Sequence, residues 1–314
     1  MSRIGVISNR ASQRNRTGLS ELRTQLAMHP EVDHGELNGI EGLRETLTDF
    51  AGNGIDLIVV NGGDGTVQAV ITSLLNDGMF AALPTLAVLP GGMTNMIAHD
   101  IGAPRRPEAA LRRLLSGRRP EIAKRRIIRL QGNGERPIYG MFFGTAAIVR
   151  GIEYCRRAVH PLKLESSTAA GAALAALLAK RIWRRGGEDK VFRGDGIAVG
   201  LDGAAPETDT YLIVLVTTLN RLVMRTRPFW GSGSGGLRYT ALRYPPRQMW
   251  RRLPVLLYGG EARTLPPNDY ISVNADDVLL DMACPYTLDG ELFEASPRRP
   301  VRLSSGPELR FQPC

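Results

Sequence analysis

The sequence predicts an α/β chain in two domains, an N-terminal three-layer α/β domain and a C-terminal antiparallel β-sandwich. Through residue 120, short apolar runs alternate with segments of helical periodicity, the pattern of a parallel sheet covered on both faces by helices. Beyond residue 121, strand-like segments separated by Gly, Asp or Pro turns dominate, which favours antiparallel pairing. The length of 314 residues suits two domains of roughly 150 residues each. A chain of this size needs no staple to complete its core. The boundary is expected near residue 122, giving domains 1–122 and 123–302, with 303–314 a candidate to complete the first.

RIGVISN (3–9) reads as a buried strand and GLSELRTQLAM (18–28) as the helix after it. VDHGEL is a short strand. A helix then carries Ile40, Leu43, Leu47 and Phe50 at helical spacing, with Asn38 as its N-cap. The unbroken apolar run DLIVVN (56–61) predicts a strand buried on both faces. Val67, Val70, Ile71, Leu74 and Leu75 mark one face of the next helix, TLAVLP (85–90) is a further strand, and RPEAALRRLLSG is the last helix of this half. In the second half EIAKRRIIRL, RPIYGMFF, GIAVGL, TYLIVLVTT, LRYTALRY, YISVNA, VLLDM and VRLSS read as strands, interrupted by one long helix at about 168–185.

Composition is near the globular average, with 43% hydrophobic and 23% charged residues, which excludes disorder, collagen and coiled coil. The net charge of +9 comes from 36 Arg and 4 Lys against 31 acids. This excess suits phosphates, anionic lipid or nucleic acid without choosing among them. Three cysteines without a CxxC pair suggest neither a disulfide framework nor a zinc site, and point to a reducing compartment. The longest low-polarity run, AAGAALAALLA (169–179), is well short of the ~20 residues needed to span a bilayer. MSRIGVISNR lacks an apolar signal core. The expectation is therefore a cytoplasmic protein, with peripheral attachment to the inner face of the membrane left open. In 168–185, Leu174, Leu177, Leu178 and Ile182 share a face near Lys180, Arg181, Arg184 and Arg185, a pattern shared by interfacial helices and core helices. Few aromatics and no reader motif argue against nucleic acid.

Two Gly-rich turns carry the chemistry. NGGDGTVQAV (61–70) ends a strand and opens a helix, where ligands bind in open parallel sheets. Gly62, Gly63 and Gly65 let consecutive amides approach an anion, and the helix N-terminus adds positive potential. Asp64 cannot attract a phosphate by charge, so it fits either a Mg2+ held by phosphates or a sugar hydroxyl. Thr66 fits an N-cap, a phosphate ligand, or both. An ordinary strand–helix turn reads the same way. PGGMTNMIA (90–98) repeats the logic after the next strand.

NGGDGT, then a strand and PGGMTN, then the distal YTLDGE (286–291) resemble in this order the diacylglycerol kinase catalytic-domain family, whose relatives include sphingosine, ceramide and bacterial lipid kinases. The resemblance implies a two-domain kinase with ATP in the cleft, an N-terminal nucleotide-binding domain and a β-rich domain receiving the lipid. It implies nucleotide-binding contacts from Asn61, Gly62, Gly63, Asp64, Gly65 and Thr66, joined by Gly92, Thr94 and Asn95 of the second turn. Asn9 and Ser12 would add polar contacts. Asp289 matches the family's catalytic base, with Asp64 as a second catalytic acid and Asp64 and Glu291 as Mg2+ ligands. The substrate would be a diacylglycerol-like or sphingoid-like lipid presented by a membrane surface, and a homodimer is left open. The family's second turn usually reads G-T-x-N-D, whereas this chain has Met93 and Met96 at the Thr and Asp positions. Asp100, one helical turn on, is a candidate replacement. The family's D-G before a strand is replaced by SGSGGLRY (232–239) around Ser234, so an absent or altered distal metal site is expected. A loop, rather than a dinucleotide-binding turn, is expected there because a strand follows it. An NAD kinase-like enzyme shares GGDGT, and a catalytically inactive nucleotide- or lipid-binding regulatory protein would keep the fold without turnover.

Overall fold

The computed structural model describes residues 3–117, 120–132, 134, 136–159, 191–296 and 299–314. The expected helix at 168–185 lies outside these residues. The chain divides into two compact units, Met1–Arg125 with Pro307–Cys314, and Arg126–Gly306.

In the first unit, β1 (Ile4–Asn9), β2 (Asp33–Leu37), β3 (Leu57–Gly62) and β4 (Thr85–Pro90) form a parallel sheet in the order β4-β3-β1-β2. The last strand, β15 (Val301–Phe311), joins β4 in parallel through Phe311 and Leu86. The continuous apolar run of β3 is explained by its central place. Leu57 and Val59 pack with Leu19, Leu22 and Leu26 of α1 (Asn15–Ala27) and Leu111 and Leu114 of α5 (Pro107–Leu115). Ile58 and Val60, which alternate with them, are equally buried. Helices α2 (Leu43–Gly52) and α3 (Asp64–Asp77) supply the third layer.

Three local expectations need correction. Asn38 does not cap α2, because the chain enters that helix through Gly42 in the left-handed region, and Ile40 is 66% exposed. Thr66 is not the N-cap of α3, since Gly63 holds that place in an extended conformation and Thr66 lies inside the first turn. The helix read at 18–28 starts earlier, at Asn15.

The second unit is antiparallel. β9 (Glu207–Thr217) is its pivot: β10 (Leu237–Arg243) follows one edge, while the other is shared between β7 (Phe142–Ala146), opposite Ile213–Thr217, and β8 (Asp195–Leu201), opposite Glu207–Tyr211. From β8 the sheet continues through β12 (Asp277–Met282) to β15. From β7 it continues through β13 (Tyr286–Leu288) to β14 (Glu291–Phe293). β11 (Tyr270–Ala275) pairs with β10, and β5 (Ala123–Gln131) with β6 (Ile138–Gly140). Inward residues from both arms, among them Phe143, Ile197, Val216, Leu280, Tyr286 and Leu303, fill one core, so the unit is a β-sandwich. RPIYGMFF, read as one strand, is two, interrupted at Met141. Helices α6 (Ala147–Val159) and α7 (Met249–Tyr258) were not expected.

Candidate functional site

The two Gly-rich turns stand side by side in the first unit. Gly91 N–H donates to the Gly62 carbonyl at 3.0 Å. A Cβ added to Gly92 would lie 2.4 Å from the Gly63 Cα, and one added to Gly91 would lie 2.9 Å from Asn61 Oδ1 and 3.0 Å from the Gly62 nitrogen. The glycines are thus required by backbone-to-backbone contact between turns, not by their φ angles. Asp64 and Gly65 follow the N-cap of α3, where amides have no acceptor within the helix.

Asn9, Ser12 and Thr66, read from separate parts of the sequence, come together. Asn9 Nδ2 donates to Thr66 Oγ1 at 2.8 Å, and Ser12 Oγ lies 3.5 Å from the same oxygen. Asn9 is oriented for this because its Oδ1 accepts from the amides of Ala11 and Gly39. Asn61 is fully buried; its Nδ2 donates to Ser8 Oγ at 3.2 Å and its Oδ1 has no partner among the described residues.

Asp64 differs from the expectation of an acid directed at a metal ion or sugar hydroxyl. It is buried, its Oδ2 accepts from Thr94 Oγ1 and Met96 N–H at 3.0 Å each, and its Oδ1 accepts from Ile97 N–H at 3.0 Å. It therefore caps the short helix α4 (Met96–Asp100) from outside and fixes the second turn against the first. Burial pushes this carboxyl above its ordinary range, against the pull of the Ile97, Met96 and Thr94 donors. Asn95 has positive φ, and its side chain closes the turn on itself, accepting from Gly92 N–H and donating to the Gly92 carbonyl, both at 2.7 Å. Asp100 is not free to replace the acid missing at Met96, because its buried carboxylate pairs with Arg125 at 2.7 Å. Sequence reading missed Arg14 and Asn15. Arg14 N–H donates to the Gly91 carbonyl, and Asn15 Nδ2 joins the carbonyls of Asn9 and Asn61. The only signal for Asn15 is an Asn six residues after Asn9.

In the second unit, Asp289 and Gly290 are the two turn residues of the β13–β14 hairpin, with φ of 49° and 91°, the geometry that Asp-Gly favours. The Asp289 carboxylate is buried. Met141 N–H lies 3.2 and 3.0 Å from its two oxygens, and Phe142 N–H lies 2.9 Å from Oδ1. This interaction accounts for the break between β6 and β7. A Cβ on Gly140 would meet Asp289 Oδ2 at 2.5 Å. Arg156 of α6 donates to the Gly290 carbonyl at 2.7 Å. Glu291 is exposed at the start of β14.

These donors do not fit a Mg2+ site built from Asp64 and Glu291. Both Asp64 oxygens already face protein donors, and among the described residues no three His, Cys, Asp or Glu side chains are grouped for a metal. In the glycine-rich loop, Gly231 and Gly235 press against the backbone of Val273 and Ala275, leaving no room for a Cβ, and β10 follows. Among the described residues, no helix is long and apolar enough to cross a membrane.

A solved structure described as a diacylglycerol kinase from Bacillus anthracis str. Sterne has the same fold over 99% of this chain and 96% of its own, with a TM-score of 0.63 at 15% identity. Acylglycerol kinase, mitochondrial, of Xenopus laevis is 33% identical over 91 residues, 27% of this chain and 21% of that protein. The Stenotrophomonas maltophilia (strain K279a) protein named "Probable lipid kinase YegS-like" is 44% identical over 59 residues, 18% of this chain and 19% of its own. The chain thus spans about a fifth of the length of these two relatives in each match. The family model of the diacylglycerol kinase catalytic domain matches residues 3–126, which include both Gly-rich turns. Over residues 3–126, then, the chain is similar to the diacylglycerol kinase catalytic domain.

Proposed function

We propose that this chain is an ATP-dependent lipid kinase, transferring the γ-phosphoryl group to the hydroxyl of a diacylglycerol-like or sphingoid-like lipid. The observation that carries this reading is the pair of stacked Gly-rich turns inside the matched segment. Phosphoryl transfer needs positioning and charge neutralisation more than covalent help. The amides opening α3 hold phosphate oxygens, and Thr66, with Asn9 and Ser12 around its hydroxyl, adds polar contacts. Gly63 and Gly92 let the two turns stack with no Cβ between them. Asp64 acts as a positioning residue through Thr94, Met96 and Ile97, and Asn95 keeps the second turn closed. In the second unit, which receives the lipid, Asp289 is the candidate base for the lipid hydroxyl, its carboxylate oriented by the Met141 and Phe142 amides. No Mg2+ ligand is assigned to Asp64 or Glu291.

A second reading, a nucleotide- or lipid-binding protein without turnover, is favoured by one observation: both candidate acids have their oxygens engaged by protein donors. A radiolabelled-phosphate screen of the purified chain over a lipid panel, paired with equilibrium ATP binding, separates the two. Labelled lipid supports the kinase. ATP binding without labelled product supports the second reading, and the absence of both ATP binding and labelled lipid would sink both.

A further inference from the structure

We propose that the outer face of α7, with the 3-10 turn Val223–Arg225 beside it and Tyr244, docks on an anionic lipid bilayer. Helix α7 is apolar on two sides. Its inner row, Met249, Leu253 and Leu256, packs with Leu212, Leu242 and Tyr270. Its outer row, at spacings of four and three, is Arg251, Val255 and Tyr258, all exposed, with exposed Pro254 alongside. A helix whose solvent side carries apolar groups and Arg, without an acid, has the character of an interfacial element. Seven large apolar side chains are exposed among the described residues, and four of them, Met224, Tyr244, Val255 and Tyr258, fall in this part of the chain. The 3-10 turn and α7 are joined in space, because Arg227 N–H donates to the Leu257 carbonyl at 2.7 Å, and Tyr244 shares a hollow with Met249 and Trp250 of α7. An apolar hollow of about 410 Å³ adjoins the start of the helix, lined by Phe192, Tyr244, Pro245, Met249 and Trp250, with Arg251 also on its lining.

Charge selects the partner. From Thr210 to Gly260 the sequence holds eight Arg and no Asp or Glu. Arg227, Arg243 and Arg247 reach Glu261, Asp209 and Asp269 outside that stretch, whereas Arg225 and Arg251 are exposed with no acid paired to them among the described residues. Anionic headgroups suit the guanidinium groups, and the interfacial acyl region suits Met224, Val255 and Tyr258. Nucleic acid would leave Met224 and Val255 without a partner. This inference extends the lipid-kinase reading but stands on a different surface.

Co-flotation of the full chain with vesicles of phosphatidylcholine, alone or mixed with phosphatidylglycerol, tests it. The chain is expected to bind mixed vesicles, to bind them less in high salt, and to bind phosphatidylcholine weakly. Arg225→Glu with Arg251→Glu, and separately Val255→Asp, are expected to lower binding by about tenfold. Circular dichroism and melting temperature should match the unmodified chain, since these side chains are exposed. Failure of the unmodified chain to bind, or equal binding by both folded variants, overturns the proposal. So does binding to nucleic acid without binding to vesicles, or a self-associated chain that Val255→Asp makes monomeric while vesicle binding is absent. Phosphorylation of detergent-dispersed lipid should survive in both variants; its absence from the unmodified chain counts against the kinase reading alone.

Discussion

Asp64-Gly65 in the first unit and Asp289-Gly290 in the second are both Asp-Gly pairs whose carboxylates accept from two consecutive backbone amides of a distant segment. For Asp64 these are Met96 and Ile97, and for Asp289 they are Met141 and Phe142. The backbones differ. Asp64 opens a helix in ordinary helical geometry and gains a third donor in Thr94, whereas Asp289 sits in the left-handed region of a hairpin. The lesson is that an acid beside a glycine in a kinase-like motif can spend its oxygens on holding the chain. Such an acid is hard to replace even where it never touches a phosphate.

Asp64→Ala should sharpen the comparison most. It leaves two amides and a hydroxyl without acceptors in a buried place, and buried donors left unsatisfied cost about 1–3 kcal/mol each. Partial rehydration should bring the total to about 3 kcal/mol, read by urea unfolding. A loss under about 1 kcal/mol would show that Asp64 does not hold the second turn. Gly92→Ala comes next. Its Cβ must displace Gly63, an overpacking cost of about 1–3 kcal/mol, and ATP affinity measured by calorimetry should fall by about tenfold. Unchanged affinity would separate the stacked turns from the nucleotide.

Asp289→Asn keeps the turn preference but offers one acceptor oxygen where the carboxylate offers two. A stability loss of about 1–2 kcal/mol is expected, together with a fall in kcat of at least about tenfold if the acid is also a base. A stability loss with kcat within about twofold of the unmodified chain would leave Asp289 a structural acid like Asp64. The smallest effect concerns pH. Burial lowers the affinity of both His34 and His99 for protons, so the unfolded chain protonates first as pH falls below about 6.5. Stability is then lost from that point down to the depressed folded-state values. Denaturation midpoints between pH 7 and pH 5 check this, and His34→Gln should flatten part of the slope.

The alternation of β1 to β4 with their helices was legible because buried parallel strands write themselves as unbroken apolar runs. Asn9, Ser12 and Thr66 each stand out in the sequence as candidates, but their meeting at one hydroxyl does not, since it depends on the β1-to-β3 register. The cap that Asp64 places on α4 spans more than thirty residues, and no local pattern announces it. Helix α7 was hidden by Pro254 in its interior, which ordinarily argues against a helix. In α6, Gly151 and the continuation from the strand FFGTA obscured the change of period.

The first unit is discontinuous in sequence, and that has a consequence for synthesis. Phe311 and Cys314 fill buried positions beside Leu86, Leu89 and Leu114, and Gln312 N–H donates to the Leu86 carbonyl. On the ribosome, residues 1–125 emerge with the β4 edge unpaired and that part of the interior unfilled until residues 307–314 have been made. An open strand edge is a template for association with other chains. The second unit, continuous from Arg126 to Gly306, has all of its own strands before the first unit has its last. The order of translation and the order of completion therefore run in opposite directions, and a nascent chain stalled before residue 307 would expose the β4 edge to other chains.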